Sequence, residues 1–323
     1  MKPRVTVVMG VYNDADGLPE TVDSVLAQTL DDFEFIVVDD GSTNPRVAQV
    51  LSAYEEKDAR IKVLRKQNQG LTLALIDGCQ AATGEFIARI DVGDTMEPTR
   101  LETQCRLLAA DPACSFVSCH TGFHGPRWEA LWIDKGRCDG TTPVSILPSN
   151  PDDGLAGDIS HHGSVMFRRS AYEAVGGYRR EFYYGQDWDL WYRLAECGTY
   201  FVVPEVLYRA RVFPGGISMR NAERQRNIAE CSRGAFRARR LGLDERPWLE
   251  RAAAIRPKPA ALQAGNAKKP SVAPGLYFVG EALRRNRNAQ CRRYLVAVIK
   301  ADPLEWRAYV RLLQSVADRK SVV

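Results

Sequence analysis

Residues 4–40, RVTVVMGVYNDADGLPETVDSVLAQTLDDFEFIVVDD, decide the fold. Residues 4–11 and 33–40 are nearly continuous apolar runs rich in β-branched side chains, which is typical of parallel strands buried on both faces. Residues 18–28, between these runs, have the apolar spacing of a helix. A strand, a helix and a second parallel strand form a right-handed crossover unit, so the sequence predicts an α/β fold.

The same alternation continues along the chain. Further helices are predicted at residues 46–56, 71–82 and 98–109, with strands at 61–64 and 85–91. Residues 121–160 lose periodicity and predict a long loop region. Order returns with predicted strands at 163–168, 200–203 and 206–212 and a helix at 188–196. We therefore predict an open, doubly wound, mostly parallel sheet flanked by helices.

The C-terminal third of the chain is predicted to be helical. Residues 1–218 are expected to form the main domain, followed by a helical extension at 219–256, a proline-bounded linker at 257–275 and a helical tail at 276–323. The tail has the paired-helix pattern of one tetratricopeptide-like unit. A single unit cannot bury its apolar face alone, so this appendage should dock on the main domain or on a second protomer.

Charge is distributed unevenly along the 323 residues. Residues 1–218 hold 21 Lys and Arg against 31 Asp and Glu, whereas residues 219–323 hold 23 against 9. The basic third could be a solvated face, or could contact anionic lipid or the acidic front half of its own chain. Nucleic acid is disfavoured because aromatic stacking platforms are absent.

Compartment signals are few. No apolar run reaches the roughly 18 to 20 residues of a spanning helix, and no signal peptide is evident, so we expect a cytoplasmic chain with peripheral membrane contact as an option. Eight cysteines occur without a Cys-x-x-Cys pair, which predicts neither a zinc site nor a disulfide framework.

Four carboxylates follow predicted strands, namely Asp39, Asp40, Asp91 and Asp94. Ligands of open parallel sheets bind outside the carboxyl ends of the strands, so these groups should converge on one crevice. A carboxylate there can accept hydrogen bonds from a base N–H or from ribose hydroxyls. The alternative for residues 39–43 is an ordinary strand-to-helix turn with a capping side chain.

Five ordered segments resemble family 2 glycosyltransferases of the GT-A fold: VVMGVYND, FIVVDDGST, NQGLTLALIDGCQAATGEFIARID, GSVMFRRSAYEAVGGY and GQDWDLWYRL. The resemblance covers about residues 4–219. It implies an inverting enzyme that moves sugar from a nucleotide sugar, with UDP favoured, to a saccharide, lipid-linked or peptide acceptor in bacterial polysaccharide or glycoconjugate assembly. A nucleotide-sugar-binding scaffold without turnover is the alternative. A Rossmann dehydrogenase is disfavoured because no Gly-x-Gly-x-x-Gly follows the first strand.

The resemblance also assigns roles around the donor. It implies that Tyr12 lies near the base, that Asp39 and Asp40 belong to the donor site, and that Asp91 opens the Asp-x-Asp signature. Arg89 would hold that strand end or the diphosphate. Trp188 and His162 are candidates for the sugar or acceptor pocket.

Use of a divalent cation, Mn²⁺ or Mg²⁺, is expected from the resemblance, with Asp91 and Asp94 as ligands. Gly93 stands where the family usually has a further acidic ligand. Phe213, in YRARVFPGGIS, stands where many members have a histidine. The pair His161 and His162 shows no third ligand at useful spacing, so no zinc site is predicted.

Asp187, in GQDWDLWYRL, matches the family's catalytic base. It would take the proton of the acceptor hydroxyl. A helix starting near Trp188 would also place Asp187 close to a cap position, and capping is the alternative role.

Overall fold

The structure is a computed structural model that describes residues 2–136, 142–150, 152–153, 155, 159, 161–215, 222–256 and 271–317. Residues 257–270 of the predicted linker and 318–323 of the predicted tail lie outside this range. Parts of the predicted loop at 121–160 also lie outside it.

Within the residues that the structure describes, nine strands form one mixed sheet in the order β3-β2-β1-β4-β8-β6-β9-β5, with β7 paired to β6. The pairs β1–β2, β2–β3 and β1–β4 are parallel, whereas β8 is antiparallel to both β4 and β6. The α/β fold prediction is therefore confirmed. The strands are β1 (Val5–Val11), β2 (Phe33–Asp39), β3 (Ile61–Arg65), β4 (Phe86–Arg89), β5 (Thr95–Met96), β6 (Cys114–His124), β7 (Ala130–Asp134), β8 (Met166–Arg168) and β9 (Thr199–Arg211).

Helices cover the sheet and continue as far as residue 317. Every residue of β1 and β2 is buried, as expected for strands with helices on both faces. The helices are α1 (Leu18–Leu26), α2 (Pro45–Lys57), α3 (Leu71–Ala81), α4 (Arg100–Ala110), α5 (Arg169–Ala174), α6 (Gln186–Cys197), α7 (Ala222–Arg240), α8 (Arg246–Ala254), α9 (Ala273–Arg285), α10 (Cys291–Ala301) and α11 (Trp306–Ala317).

Strand β6 was not predicted, and with β7 it occupies the start of the predicted loop at 121–160. The strand is buried but carries small polar residues, which hide the apolar run expected of a central strand. Those hydroxyls have partners: Ser115 Oγ donates to Leu194 O at 3.0 Å, and Ser118 Oγ bonds the hydroxyl of Tyr200. Buried hydroxyls are tolerated when they are paired in this way.

The chain forms two compact units. Unit 1 comprises Met1–Thr121, Asp134–Ala210 and Arg224–Arg256, and unit 2 comprises Gly122–Ile133, Arg211–Glu223 and Pro257–Val323. Unit 2 has its own core, in which Leu131 packs with Val279, Leu283, Cys291 and Tyr294. Helices α9 to α11 thus form the predicted C-terminal helical appendage. None of the described helices is long and apolar enough to cross a membrane.

Candidate active site

The site lies in unit 1, at the carboxyl ends of β1, β2 and β4. The register pairs Val11 with Asp39 and Val8 with Arg89, so these three strands end side by side. Tyr12 and Asp40 follow directly on β1 and β2, and Asp91 follows β4 after one intervening residue. The strand-end carboxylates therefore converge as the topology requires.

The turn after β2 is held by side chains of the turn itself and of the loop after β1. Asp39 Oδ1 accepts a hydrogen bond from the N–H of Ser42 at 2.9 Å. Asn13 has a left-handed backbone (φ 60°), and its Oδ1 accepts from the N–H groups of Thr43 at 2.8 Å and Asn44 at 2.9 Å. Asp39 thus shapes the turn, while the neighbouring Tyr12 is 51% exposed.

Asp40 is buried and oriented by backbone groups. Its Oδ1 accepts from Gln69 N at 3.0 Å and its Oδ2 from Gly70 N at 2.7 Å. Burial raises the pKa of Asp40, and these two hydrogen bonds oppose the rise. Gly70 has φ +95°, and a Cβ there would lie 2.5 Å from the ring of Tyr183, so only glycine fits beneath that ring.

Arg89 is fully buried and holds the end of β4. Its Nη1 donates to Val8 O at 2.6 Å and to Ile90 O at 3.0 Å, and its Nη2 donates to Asp91 Oδ1 at 2.6 Å. Burial by itself raises the pKa of Asp91, but the charge of Arg89 and its hydrogen bond bring it below the usual value. Asp91 is therefore an ionised carboxylate beside a fixed cation.

Tyr208 on β9 connects the carboxylate of Asp94 with the backbone of Asp91, the two residues that were predicted as metal ligands. Its hydroxyl donates to Asp94 Oδ2 at 2.7 Å and accepts from Asp91 N at 3.1 Å. Burial raises the pKa of Tyr208 well above its usual value, which keeps the donating proton in place. Sequence reasoning gave this tyrosine no role, although it opens the segment YRARVFPGGIS in which Phe213 was singled out.

Asp91, Asp94 and His161 form a group whose ligand atoms all lie within 4.8 Å of one another. Burial lowers the pKa of His161, so the ring is neutral at neutral pH. Two carboxylates and a neutral imidazole are a donor set that suits Mn²⁺, so the residues fit a divalent cation. The sequence did not reveal this third group, because His161 is 67 positions from Asp94.

One hydrogen bond indicates that His161 is a weaker candidate for a metal ligand than Asp91 and Asp94. His161 Nδ1 accepts from Gly163 N at 3.1 Å, so the proton of the neutral ring lies on Nε2. A metal could bind His161 Nδ1 only after the hydrogen bond from Gly163 N is broken. The carboxylates of Asp91 and Asp94 are therefore the principal ligands. Gly93, at φ +91°, offers no side chain, and Phe213 belongs to unit 2, where its ring lies 5.0 Å from the Arg211 guanidinium.

His162 contacts Arg89. Its Nε2 accepts from Tyr178 OH at 2.7 Å and from Arg89 Nε at 3.4 Å. Burial, together with the charge of Arg89, lowers the pKa of His162 to about 3. This neutral ring positions the guanidinium that in turn orients Asp91.

Asp187 is the second residue of α6, and Gly185 is the residue at the cap position. Its carboxylate therefore does not occupy the cap. Burial raises the pKa of Asp187 to about 6, opposed by the N–H groups of Trp188 and Asp187 and raised further by the charge of Asp91. The Trp188 side chain is exposed, whereas Asp189 is buried and pairs with Arg193 at 2.5 Å.

Comparisons with known proteins agree with this architecture. Residues 6–176 match the model of the family described as glycosyl transferase family 2. EpsE of Bacillus subtilis (strain 168), which is named as a glycosyltransferase, is 35% identical over 217 residues, or 65% of this chain and 73% of that protein. The O-antigen biosynthesis protein RfbC of Myxococcus xanthus is 30% identical over 217 residues, but these span only 16% of its length.

Two solved structures share the fold. The Staphylococcus aureus TarS fragment 1-349, solved in complex with UDP, has a TM-score of 0.56 at 16% identity, covering 98% of this chain and 89% of that one. The mannosyltransferase PcManGT of Pyrobaculum calidifontis, solved with GDP-Man and Mn²⁺, has a TM-score of 0.53 at 18% identity, covering 98% and 87%. At such identities the similarity concerns the fold alone.

Proposed function

Because this chain belongs to glycosyl transferase family 2, we propose that it transfers a sugar from a nucleotide sugar to an acceptor hydroxyl with inversion at the anomeric carbon. UDP-sugars are the favoured donors, and a saccharide, lipid-linked or peptide acceptor in bacterial polysaccharide or glycoconjugate assembly is the favoured context. The observation that carries the proposal is the half-buried carboxylate of Asp187 at the start of α6, whose pKa burial raises to about 6, in the same unit as the Asp91–Asp94 group.

Asp187 is the proposed general base. Above pH 6 it is ionised and takes the proton of the acceptor hydroxyl as that oxygen attacks the anomeric carbon. The bond between the anomeric carbon and the diphosphate oxygen breaks on the opposite side, and its electrons stay on the nucleoside diphosphate. No covalent enzyme intermediate is needed for a single inversion.

Charge on the leaving diphosphate has to be neutralised. Asp91 and Asp94 would hold a divalent cation, which supplies electrostatic stabilisation of that charge when bound. Arg89 adds a fixed positive charge whose hydrogen bonds to Val8 O, Ile90 O and Asp91 are already formed. Groups oriented in advance need no rearrangement during the reaction.

The nucleoside end of the donor is proposed to bind where Tyr12, Asp40 and Tyr183 meet. Asp40 N donates to Val11 O at 2.9 Å, next to Tyr12 in the chain. Gly70 connects Asp40 with Tyr183, because its N–H donates to Asp40 Oδ2 at 2.7 Å and a Cβ on it would lie 2.5 Å from the Tyr183 ring. An oriented carboxylate beside aromatic rings suits a base that offers an N–H and a π face. Uridine has both.

A donor screen tests this function directly. We expect UDP-sugars in the presence of Mn²⁺ to raise the melting temperature, because a ligand at a hundredfold its Kd stabilises by about 2.7 kcal/mol. For a protein of this size that corresponds to a rise of roughly 5 °C or more. If the chain binds a donor but transfers sugar to no acceptor, the scaffold alternative is favoured instead. That alternative arises because Gly93 and Phe213 stand where the family usually has an acidic ligand and a histidine.

Arg256 should influence donor affinity, although it follows the last helix of unit 1. Its guanidinium lies 5.6 Å from the centre of the Tyr183 ring, and its Nη2 donates to Gln69 O at 3.5 Å. We expect Arg256→Ala to raise the donor KM between about threefold and tenfold with little change in kcat. Arg246→Ala, on an exposed arginine paired with Asp244, is the matched control. Equal KM values for the two variants would contradict this placement.

A further inference from the structure

Helix α11 of unit 2 carries apolar side chains on two faces. One face packs inward, where Ala308 is buried against Leu295 and Val298 of α10. The other face carries a stripe of exposed apolar residues at helical spacing, which begins in the turn before the helix. The members of this exposed stripe are Leu304, Trp306, Tyr309, Val310, Leu313 and Val316.

The stripe is larger than isolated surface residues would produce. Leu304 is 89% exposed, Leu313 72% and Trp306 68%. Together the six side chains of the stripe expose roughly 600 Å² of mostly apolar surface to solvent. An exposed apolar patch of this size is typical of an interaction site. A standard protein interface buries about 800 Å² on each partner, so the stripe alone is small for a stable dimer.

The charge around the stripe points to an anionic partner. Residues 273–317 hold eight Lys and Arg against three Asp and Glu. Arg307 and Arg311 lie on the polar side of α11 and pair with Glu305 and Glu281. Residues 273–317 still keep an excess of five positive charges, eight minus three, and Arg285 and Lys300 are exposed on α9 and α10. A second copy of this unit would bring like charges together, whereas a surface of anionic lipid would attract them.

We propose that the exposed stripe of α11 inserts into the headgroup region of an anionic membrane, with the arginines of unit 2 at the lipid phosphates. Tryptophan and tyrosine favour that depth of a bilayer, because one part of each ring system is apolar and another is polar. Helix α11 has 12 residues and is about 18 Å long, so it fits in the plane of the interface.

Vesicle binding by the full chain tests the proposal. We expect the chain to float with vesicles made of equal parts phosphatidylglycerol and phosphatidylcholine, and to bind at least tenfold more weakly to phosphatidylcholine alone. Raising the salt concentration should weaken binding to the anionic vesicles, because exposed charges are screened. Equal binding to both vesicle types would overturn the electrostatic part of the proposal.

Two variants test the stripe itself. Leu313→Gln and Trp306→Gln should each weaken binding to anionic vesicles about tenfold, since each removes a large apolar side chain from the inserted face. The matched control is Leu243→Gln, a leucine that is 63% exposed in unit 1. Leu313, Trp306 and Leu243 are all exposed, so we expect the three variants to keep the melting temperature of the unmodified protein. If the control and the stripe variants bind vesicles equally, the proposal is wrong.

Other occupants of the stripe give different results. A second copy of the chain would appear in analytical ultracentrifugation as a concentration-dependent dimer that Leu313→Gln dissociates, with no binding to anionic vesicles. That combination of results would overturn the membrane proposal and identify a second copy of the chain as the partner of the stripe. A monomer that also ignores anionic vesicles would equally overturn the proposal.

Discussion

Asp187→Asn should reduce sugar transfer by a factor of about 10² to 10⁴, the usual contribution of a general base, while donor binding persists. Asparagine keeps the shape of the side chain but cannot take the acceptor proton. In the unmodified protein, transfer should fall about tenfold for each pH unit below 6, where the carboxyl is protonated. Initial rates measured from pH 5 to pH 8 check both expectations.

The same substitution should stabilise the fold, which separates catalysis from a structural role. Burial raises the pKa of Asp187 from 3.8 to about 6. Below pH 3.8 the carboxyl is protonated in both states and has no effect, and as pH rises to 6 the folded state progressively loses stability. Above pH 6 the cost reaches up to roughly 3 kcal/mol. Asp187→Asn avoids it, so its melting temperature should exceed that of the unmodified protein at pH 8 but not at pH 4.

Asp31→Asn is the matched control, because the Asp31 side chain is 96% exposed. It should leave both transfer and melting temperature unchanged. A lower melting temperature for Asp187→Asn at pH 8, with transfer retained, would identify Asp187 as a structural residue of α6 instead.

Removal of divalent cations should abolish most transfer. With Asp91 and Asp94 as principal ligands, a chelator should lower the rate at least a hundredfold and added Mn²⁺ should restore it, because neutralising the leaving diphosphate contributes several kcal/mol. Asp91→Asn should raise the Mn²⁺ concentration needed for half-maximal rate by more than tenfold. Mn²⁺ binding in the presence of UDP, followed by electron paramagnetic resonance, gives a readout independent of turnover.

His161→Gln is informative here, because the hydrogen bond from Gly163 ranks this ring behind the carboxylates. We expect it to shift the Mn²⁺ requirement less than Asp91→Asn does. If the chelator leaves transfer unchanged, the charge of the diphosphate is neutralised by side chains such as Arg89 without a metal.

The parts of the fold that could be predicted are those with a strong local signal. Buried apolar runs predict β1 and β2, and parallel pairing with the neighbouring strand β4 then requires the carboxylates after β2 and β4 to lie at one edge of the sheet. Strand β6 is not predicted, because serines are typical of exposed positions and only the structure shows that those of β6 are buried. Their hydrogen-bond partners are Leu194 O and the Tyr200 hydroxyl. Such pairs are distant along the chain.

Within the candidate site, the limits of sequence reasoning are similar. The sequence predicts that a carboxylate stands at a strand end, but it does not predict which groups that carboxylate binds. Asp39 accepts a hydrogen bond from the N–H of Ser42 in its own turn, whereas Asp40 accepts from the N–H groups of Gln69 and Gly70. His161 reaches Asp91 and Asp94 only through the packing of separate segments. Tertiary geometry, which no local pattern encodes, decides these roles.

The contact between Gly163 and Tyr208 has an evolutionary consequence. A Cβ on Gly163 would lie 1.9 Å from the Tyr208 hydroxyl, the same hydroxyl that serves Asp94 and Asp91 N. Neither position can therefore change alone: a larger residue at 163 displaces the tyrosine, and a smaller one at 208 leaves both groups without their partner. We expect the two positions to covary among relatives, so that glycine at one is inherited together with tyrosine at the other.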